Sequence, residues 1–290
     1  MKYTLVRTLA LVVAVLNFSS ISLAQKSLVK SSQSSVGHLF IIGGGEKTEG
    51  LMKELLKVSA VGTDDYVIIL PMSSEDPDSS VIFAQEDFAS VGIKKVVGFN
   101  FTENGPVSQS RLDSMVNAKL IFITGGDQSR FMKIVGKGPI YKAIHEAYKK
   151  GSTIAGTSAG AAVMSKKMIT GNTLKHPENS GRYPTIEPGN IEVIEGLGML
   201  DKLIIDQHFI KRQRLNRLIS VLIENPDETC VGIDESTAII VTGNSFTVAG
   251  ENQVVVLRNQ AKNKKIHGNL LGAKGLQLDV LLPGETWHLK

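Results

Sequence analysis

Residues 152–161 read STIAGTSAGA and place a serine between two kinds of local structure. β-Branched residues precede Ser158, and small residues that suit the start of a helix follow it. Gly156, Ser158 and Gly160 form the pattern G-x-S-x-G, which marks a sharp turn from a strand into a helix that lifts a serine hydroxyl above a sheet. Because so short a pattern recurs by chance, the surrounding sequence must establish the fold.

The surrounding segments alternate between short apolar strands and helices. HLFIIGGG at 38–45, YVIILP at 66–71 and LIFITGGD at 120–127 read as strands, whereas LMKELLKV at 51–58 and IYKAIHEAYKKG at 140–151 read as helices. Near-continuous apolar strands separated by helices are typical of a parallel sheet that is covered on both faces. With right-handed crossovers, the sequence predicts a doubly wound α/β fold.

The second half of the chain is less regular. Residues 173–190 form a polar loop with several prolines and glycines, and a loop of this length inside a compact domain is usually functional or mobile. Residues 211–225 predict a helix. Short alternating strands over residues 243–290 predict an antiparallel extension at the edge of the main sheet, so we expect a single domain over residues 37–290.

The N-terminus has the features of a secretory signal peptide over residues 1–24. A basic start is followed by a short apolar run and by small residues before Gln25. The apolar run is shorter than the roughly 20 residues that span a bilayer, which disfavours an anchor. Residues 25–36 are polar and read as a flexible lead-in. We therefore expect a secreted or periplasmic protein.

The composition is that of a globular protein and limits its partners. The 290-residue chain has 42% hydrophobic residues and a formal net charge of +4 from 32 basic and 28 acidic side chains. Two of the basic residues, Lys2 and Arg7, lie in the predicted leader, so the mature chain would have almost no basic excess for binding nucleic acid. The single cysteine, Cys230, excludes an intrachain disulfide and a cysteine-rich zinc site. GGGEKTEG lacks the ending of a phosphate-binding loop, and no histidine pair has metalloprotease spacing. We expect no cofactor and no metal.

Polar residues at the carboxyl ends of parallel strands are the candidates for chemistry. Ser158 is the candidate nucleophile, with the Ala159 N–H at the start of the next helix as an oxyanion donor. It needs a base, and among six histidines only His208 lies at the carboxyl end of a strand; His176, in the polar loop, is the alternative. Asp206, Asp234 or Glu235 would orient the imidazole. Because adjacent strand residues point to opposite faces, only one of Asp234 and Glu235 can do so.

A cluster of cations follows the candidate base, comprising Lys211, Arg212, Arg214 and Arg217. Charge runs are usually solvated helix faces. Cations in the first turn of a helix nevertheless oppose its dipole, so this placement does not serve stability. Guanidinium groups beside the base could instead bind a substrate carboxylate in a bidentate way.

Five blocks, IIGGGE, FITGGDQSR, GTSAGAAVMS, DQHFIKRQRLNRL and GIDESTA, together resemble the cyanophycinase family of serine peptidases, relatives of aspartyl dipeptidase. They follow the same order over about residues 38–245. The resemblance implies a three-layer α/β/α fold of the class I glutamine-amidotransferase type, a homodimer and no cofactor. It also implies a triad of Ser158, His208 and Glu235, which selects Glu235 over Asp234.

The resemblance further implies a pocket for β-linked aspartyl-arginine units. The matching residues are Gln128, Asp206, Gln207, Arg212, Arg214 and Arg217. Cyanophycinases degrade a poly-aspartate chain that carries arginine on its β-carboxyls, and they release β-Asp-Arg dipeptides. This sequence departs from the family in GGGEKTEG, where GGAEDK is more common, and in its exported leader.

These residues predict hydrolysis through an acyl-enzyme. His208 takes the proton of Ser158 as the hydroxyl attacks an aspartyl carbonyl, and N–H groups of Ala159 and of Gly125 or Gly126 hold the oxyanion. Two other functions stay open from the sequence. One is a dipeptidase or isoaspartyl peptidase that acts on short peptides, and the other is a binding protein that has the fold without the chemistry.

Overall fold

The computed structural model describes residues 37–179 and 181–289, and these residues belong to one compact unit. The predicted leader and lead-in, residues 1–36, lie outside the described residues. The main sheet has eight strands: β1 (Leu39–Ile42), β2 (Val67–Leu70), β3 (Val96–Gly98), β4 (Leu120–Ile123), β5 (Thr153–Thr157), β10 (Thr237–Thr242), β11 (Ser245–Gly250) and β16 (Thr286–His288).

The order of the main sheet is β16-β11-β10-β1-β5-β4-β2-β3. Strands β1 to β5 pair in parallel, as the sequence predicts. Strand β10 turns the sheet antiparallel, because it pairs with β1 in the opposite direction. The carboxyl ends of β1, β4 and β5 therefore lie side by side at the centre of one edge.

Seven helices connect and cover the strands of the described chain. They are α1 (Glu49–Ser59), α2 (Pro77–Ser90), α3 (Gln109–Asn117), α4 (Gln128–Val135), α5 (Pro139–Lys149), α6 (Ala159–Ala162) and α7 (Leu215–Glu224). Side chains at their N-termini fix several starts. Asp76 accepts a hydrogen bond from the Ser79 N–H at the start of α2, and Asp127 accepts from Ser129 and Arg130 at the start of α4.

Alternate residues of the central strands enter two different cores. In β1, Leu39 and Ile41 pack on one side with α3, α4 and α5, whereas Phe40 and Ile42 pack on the other side with α1 and α2. Strands β2 and β4 divide their side chains in the same way. This is the period of two that a strand imposes, and it produces the predicted three layers.

A second sheet of four strands lies against the core that contains α3 to α5. Its members are β8 (Leu203–Gln207), β9 (Thr229–Ile233), β12 (Val254–Asn259) and β15 (Leu276–Leu281), with β8 and β9 parallel. Ile205 and Ile233 face that core, whereas Ile204 and Cys230 face a third core beneath α7. Two antiparallel pairs complete the fold, β6 (Lys167–Thr173) with β7 (Ile191–Glu195) and β13 (Lys265–His267) with β14 (Leu270–Gly272).

Two expectations about the second half are corrected. The residues after 243 do not form one edge of the main sheet, because β11 and β16 join that sheet while β12 and β15 join the second sheet. The predicted helix over 211–225 begins only at Leu215. Before it, Gln213 has a φ of 53°, a left-handed conformation that an α-helix does not contain. Lys211 and Arg212 therefore lie in a turn that precedes the helix.

No described helix combines the length and the apolar character that crossing a lipid bilayer requires.

Candidate active site

The backbone at Ser158 has the strained conformation that its motif predicts. Ser158 follows β5 and precedes α6, with a φ of 54° and a ψ of −109°. The flanking glycines let strand and helix approach closely, because a β-carbon on Gly156 would come 2.2 Å from the Gly160 carbonyl oxygen. A β-carbon on Gly160 would in turn come 2.2 Å from the Ile123 oxygen. The turn thus presents the hydroxyl above the sheet edge.

A hydrogen-bonded chain links the serine, the histidine and the glutamate. Ser158 Oγ lies 2.9 Å from His208 Nε2, and His208 Nδ1 lies 2.7 Å from Glu235 Oε1. The carboxylate accepts the proton of Nδ1, which leaves Nε2 as the acceptor for the serine hydroxyl. This is the arrangement that a serine nucleophile requires.

The three residues come from two different sheets. Ser158 follows β5 of the main sheet, and His208 follows β8 of the second sheet. Glu235 lies on the connection from β9 to β10, where the chain crosses from the second sheet to the main sheet. The sequence predicted three strand ends on one sheet edge; the structure brings the ends of two sheets together instead.

The end of β1 and the loop that follows it join these elements through their carbonyl groups. The Ile42 carbonyl accepts from the Ser158 N–H at 3.0 Å, and the Gly43 carbonyl accepts from the His208 N–H at 2.7 Å. The Gly44 carbonyl accepts from the Ser236 N–H, next to Glu235, at 2.9 Å. Sequence reasoning placed these glycines at a strand end without giving them a role. Three consecutive carbonyls fix the backbone at or beside each member of the triad.

Asp234 has a different task from Glu235. Its Oδ1 accepts hydrogen bonds from the backbone N–H groups of Ile210 and Lys211, at 3.1 and 2.9 Å. Asp234 thus holds the turn that follows His208. Of these two neighbouring acids, Glu235 is the one that contacts the imidazole.

The environment of His208 favours the neutral imidazole. Burial lowers the pKa of His208 below its usual 6.5, and the nearby charges of Arg212 and Arg214 lower it further, against an opposing effect of Glu235. A neutral imidazole at neutral pH is able to accept a proton from Ser158.

Two glycines beside Ser158 offer free backbone donors. Thr124 N–H donates to Leu70 and Asp127 N–H donates to Ser73, but the N–H groups of Gly125 and Gly126 between them have no carbonyl partner within residues 37–179 and 181–289. A β-carbon on Gly125 would lie 3.4 Å from Ser158 Cβ, so this loop is adjacent to the hydroxyl. These donors, with the N–H of Ala159 at the start of α6, suit an oxyanion.

A cavity of about 300 Å³, which we call the arginine cavity, opens onto Ser158. The lining includes three of the predicted binding residues, Arg212, Arg214 and Arg217, on the turn after His208 and on α7. Gln128, at the start of α4, also lines the cavity. Its polar lining includes Gln128, Ser158, Tyr183, Gln207, Arg212, Arg214 and Arg217.

Asp206 lies behind the wall of this cavity. Its side chain is 1% exposed and forms a two-point ion pair with Arg217, which is 2% exposed; Arg217 Nε lies 2.9 Å from Asp206 Oδ2. Although burial opposes the charge of Arg217, its pairing with Asp206 raises the pKa of Arg217. Asp206 therefore supports the cavity through Arg217, and the structure does not give it the direct contact that the sequence reading proposed.

Arg214, unlike Arg217, has no carboxylate within hydrogen-bonding distance in the described chain. Its Nη1 donates to the main-chain and side-chain oxygens of Gln207, at 2.6 and 2.5 Å. Its Nε is buried and has no hydrogen-bond partner in the described chain. Burial and the neighbouring charge of Arg217 lower the pKa of Arg214 to about 10, so it stays charged at neutral pH. An anion in the cavity would satisfy this guanidinium.

Sequence reasoning missed Tyr183, which lies in the polar loop of residues 173–190. Its hydroxyl accepts from Arg217 Nη1 and donates to the Gly171 carbonyl at 3.0 Å, and its ring centroid lies 4.5 Å from the Arg217 guanidinium carbon. Gln128 Nε2 donates to the Ile169 carbonyl at 2.9 Å. Tyr183 thus ties the polar loop to the cavity wall, although no local motif in the sequence marks this residue.

His176, the alternative base, and two further histidines are engaged elsewhere. His176 Nε2 contacts both carboxylate oxygens of Glu187 at 3.1 Å within the polar loop. His38 contacts Thr242, and His145 contacts the Leu197 carbonyl. Of these histidines, only His208 contacts Ser158.

Comparisons with known proteins show the family of this chain. Residues 39–249 match the model of Peptidase family S51. The chain is 32% identical over 265 residues to a cyanophycinase of Geminocystis herdmanii, covering 87% of this chain and 93% of that one. It is 30% identical over 282 residues to a cyanophycinase of a Nostoc species, covering 92% and 91%.

Solved structures share the fold at lower identity. A peptidase from an acI-B1 Actinobacterium superposes with a TM-score of 0.65 at 19% identity, over 88% of this chain and 98% of that one. A putative peptidase E from Listeria monocytogenes superposes with a TM-score of 0.54 at 15% identity, over 74% and 99%. At these identities the likeness shows the fold alone. Because the family model spans most of the chain, the protein belongs to peptidase family S51 and is a serine-type peptidase.

Proposed function

We propose that the protein is an exported exopeptidase that hydrolyses cyanophycin to β-Asp-Arg dipeptides through an acyl-enzyme on Ser158. The observation that carries this proposal is the chain from Ser158 through His208 to Glu235, with distances of 2.9 and 2.7 Å, at the mouth of a cavity that contains three arginines. The similarity to cyanophycinases over most of both chains supports the choice of substrate.

In the first half of the reaction, His208 Nε2 takes the hydroxyl proton of Ser158 while Oγ attacks an aspartyl carbonyl carbon. Glu235 stabilises the imidazolium that forms. The N–H groups of Ala159 and of Gly125 or Gly126 stabilise the oxyanion, at roughly 3 kcal/mol for each donor. When the carbon–nitrogen bond breaks, His208 gives its proton to the leaving nitrogen, and the acyl group stays on Ser158.

The second half repeats this chemistry with water. His208 removes a proton from a water molecule, whose oxygen attacks the acyl carbon. Collapse of the intermediate releases the carboxylic acid, and Ser158 regains its proton from His208. The arginine cavity holds the acyl half of the substrate through Gln128, Gln207, Arg212, Arg214 and Arg217. Arg214 Nε has no hydrogen-bond partner in the described chain, so it is free to donate to this half.

The test is digestion of insoluble cyanophycin with mass analysis of the products. We expect β-Asp-Arg dipeptides from the wild type and none from Ser158→Ala. If the wild type leaves cyanophycin intact and hydrolyses short Asp-X dipeptides, the protein is a dipeptidase instead. If it hydrolyses neither and a serine-directed phosphonate does not label it, the protein is a binding protein.

Export and assembly form a separate part of the proposal. The leader over residues 1–24 predicts a mature protein that begins at Gln25, outside the cytoplasm. N-terminal sequencing of the protein from the producing cells and their medium tests this, and an intact leader on cytoplasmic protein contradicts it.

We also propose that the protein forms a homodimer. Sedimentation at micromolar concentration tests this, and a monomer contradicts it.

A further inference from the structure

A second cavity, of about 320 Å³, meets the arginine cavity at Ser158, which lines both. Its walls come from the loop after β1, from α2 and from the ends of β4 and β5. Its lining includes Lys47, Phe83, Asp87, Thr124, Gly125 and His208. We call it the second cavity.

The position of His208 assigns a direction to the substrate. His208 lines the second cavity and is not among the residues that line the arginine cavity. During acylation this imidazole must deliver its proton to the leaving nitrogen, so the nitrogen must lie on its side. Gly126 lines the arginine cavity and Gly125 lines the second cavity, which places their N–H groups at the junction. The acyl half then occupies the arginine cavity, and the leaving half extends into the second cavity.

The charges of the second cavity differ from those of the arginine cavity. Lys47 Nζ lies 3.0 Å from Asp87 Oδ2, and their side chains are 20% and 25% exposed. The two residues come from separate elements, the loop after β1 and helix α2. One cation and one anion side by side suit a ligand that itself carries both charges, whereas an excess of arginines suits an anion.

One buried polar atom of the second cavity, the hydroxyl of Thr124, lacks a hydrogen-bond partner in the described chain. Buried polar atoms normally have partners, so this hydroxyl is available to a ligand. Asp87 Oδ2, by contrast, is paired with Lys47, and a guanidinium group would have to share this carboxylate with Lys47. The ring of Phe83 is 63% exposed at the same cavity, and an exposed ring offers a face to a guanidinium group.

We propose that the second cavity is the leaving-group subsite and selects a leaving amine that carries both a carboxylate and a guanidinium group. Lys47 binds the carboxylate, and Asp87 binds the guanidinium, which stacks on Phe83. This assignment rests on the proposed function. It makes the enzyme prefer cleavage that releases a terminal arginine-bearing unit, because Lys47 binds the free main-chain carboxylate of the last aspartate, and internal units have only the carboxylate of their arginine.

The test uses three substrates with the same acyl half. The first is a dimer of β-Asp-Arg units; the second has citrulline in place of arginine in the leaving unit, and the third has amides in place of the leaving unit's carboxylates. For the wild type we expect kcat/KM to fall about ten- to hundredfold on each change, the size of a lost charge-assisted hydrogen bond. Asp87→Asn should lose the discrimination against citrulline, and Lys47→Met the discrimination against amides.

Two further variants complete the design. Lys53→Met breaks an exposed ion pair with Glu49 of 2.7 Å on α1 and should leave all three values unchanged. Phe83→Leu keeps the Lys47–Asp87 pair and should reduce only the discrimination against citrulline; because Phe83 is exposed, the fold should tolerate this change. Circular dichroism checks each variant.

The assignment of the subsite would be overturned if Asp87→Asn, Lys47→Met and Phe83→Leu each lowered kcat/KM equally on all three substrates. The hydrolase function would still stand. A wild type with no preference among the three substrates overturns the assignment as well. A wild type that cleaves none of them overturns the proposed function, and the subsite falls with it.

Discussion

Gly44 packs directly against the imidazole of His208: a β-carbon on Gly44 would lie 2.3 Å from Cε1 and 2.4 Å from Nε2. The ring therefore has its position only because residue 44 has no side chain. Gly45 packs against Glu235 in the same way: a β-carbon on Gly45 would lie 2.6 Å from Glu235 Cβ. The glycine loop thus sets the orientation of both partners of Ser158.

Gly44→Ala should therefore lower kcat about 100-fold, the size of effect that a misplacement of about 1 Å produces. Part of the change is backbone strain, since Gly44 has a φ of 111°. Gly92→Ala is the matched control, because Gly92 has a φ of 88° with open space around it. Steady-state kinetics should separate the two, and similar activity in both variants would contradict the packing argument.

Ser158→Ala should lower kcat by about 10⁴-fold or more, because it removes the nucleophile. The melting temperature should stay close to that of the wild type, since His208 Nε2 loses its serine partner at a cavity that water can enter. Ser110→Ala, on the exposed surface of α3, controls for serine removal elsewhere. Substantial turnover by Ser158→Ala would exclude this serine as the nucleophile.

The neighbouring acids should separate in their effects. Glu235→Gln should lower kcat by about 10²- to 10⁴-fold with little loss of stability, because it disturbs the imidazole tautomer. Asp234→Ala should cost about 1–3 kcal/mol of unfolding free energy, because two backbone N–H groups lose their acceptor. Urea unfolding and kinetics on both variants check this, and the reverse pattern would exchange their roles.

The pH dependence of kcat/KM should report His208. The base acts only when neutral, and burial lowers its pKa below 6.5, so the acid limb should lie below pH 6.5. Arg212→Gln removes a positive charge that disfavours the imidazolium, which raises the pKa of His208 and moves the limb to higher pH. A limb that does not move in this variant would show that Arg212 has no electrostatic effect on the base.

Arg217→Met should cost about 3–5 kcal/mol of unfolding free energy, because it leaves the carboxylate of Asp206 buried and unpaired. The double variant Arg217→Met with Asp206→Leu should recover most of that stability in urea unfolding. It should not recover kcat/KM on cyanophycin, because the arginine cavity has lost a cation. Recovery of activity would mean that the pair serves stability alone.

Much of the site follows from local sequence. The apolar runs that end in glycine or polar residues identify β1, β4, β5 and β8, and the small residues around Ser158 identify the turn. These signals are local because a strand end and a tight turn each depend on a few adjacent residues. The resemblance to cyanophycinases then selected Glu235, and the family is confirmed by the match over residues 39–249.

The rest depends on contacts between distant segments. That β8 and β9 form a second sheet is not visible in their sequences, since a buried strand reads the same in either sheet. Tyr183 reaches Arg217 across 34 residues, and no local pattern predicts such a contact. The helix after His208 begins late, and Asp234, on the distant connection from β9 to β10, holds the turn that precedes it.

Ser158 and His208 follow strands of two sheet layers that meet across a shared core, and the three carbonyls of residues 42–44 join the strand ends at the site. Their 2.9 Å contact is therefore sensitive to small slippage of one layer over the other. On gentle warming, turnover should cease while far-ultraviolet dichroism is still native, so inactivation precedes melting.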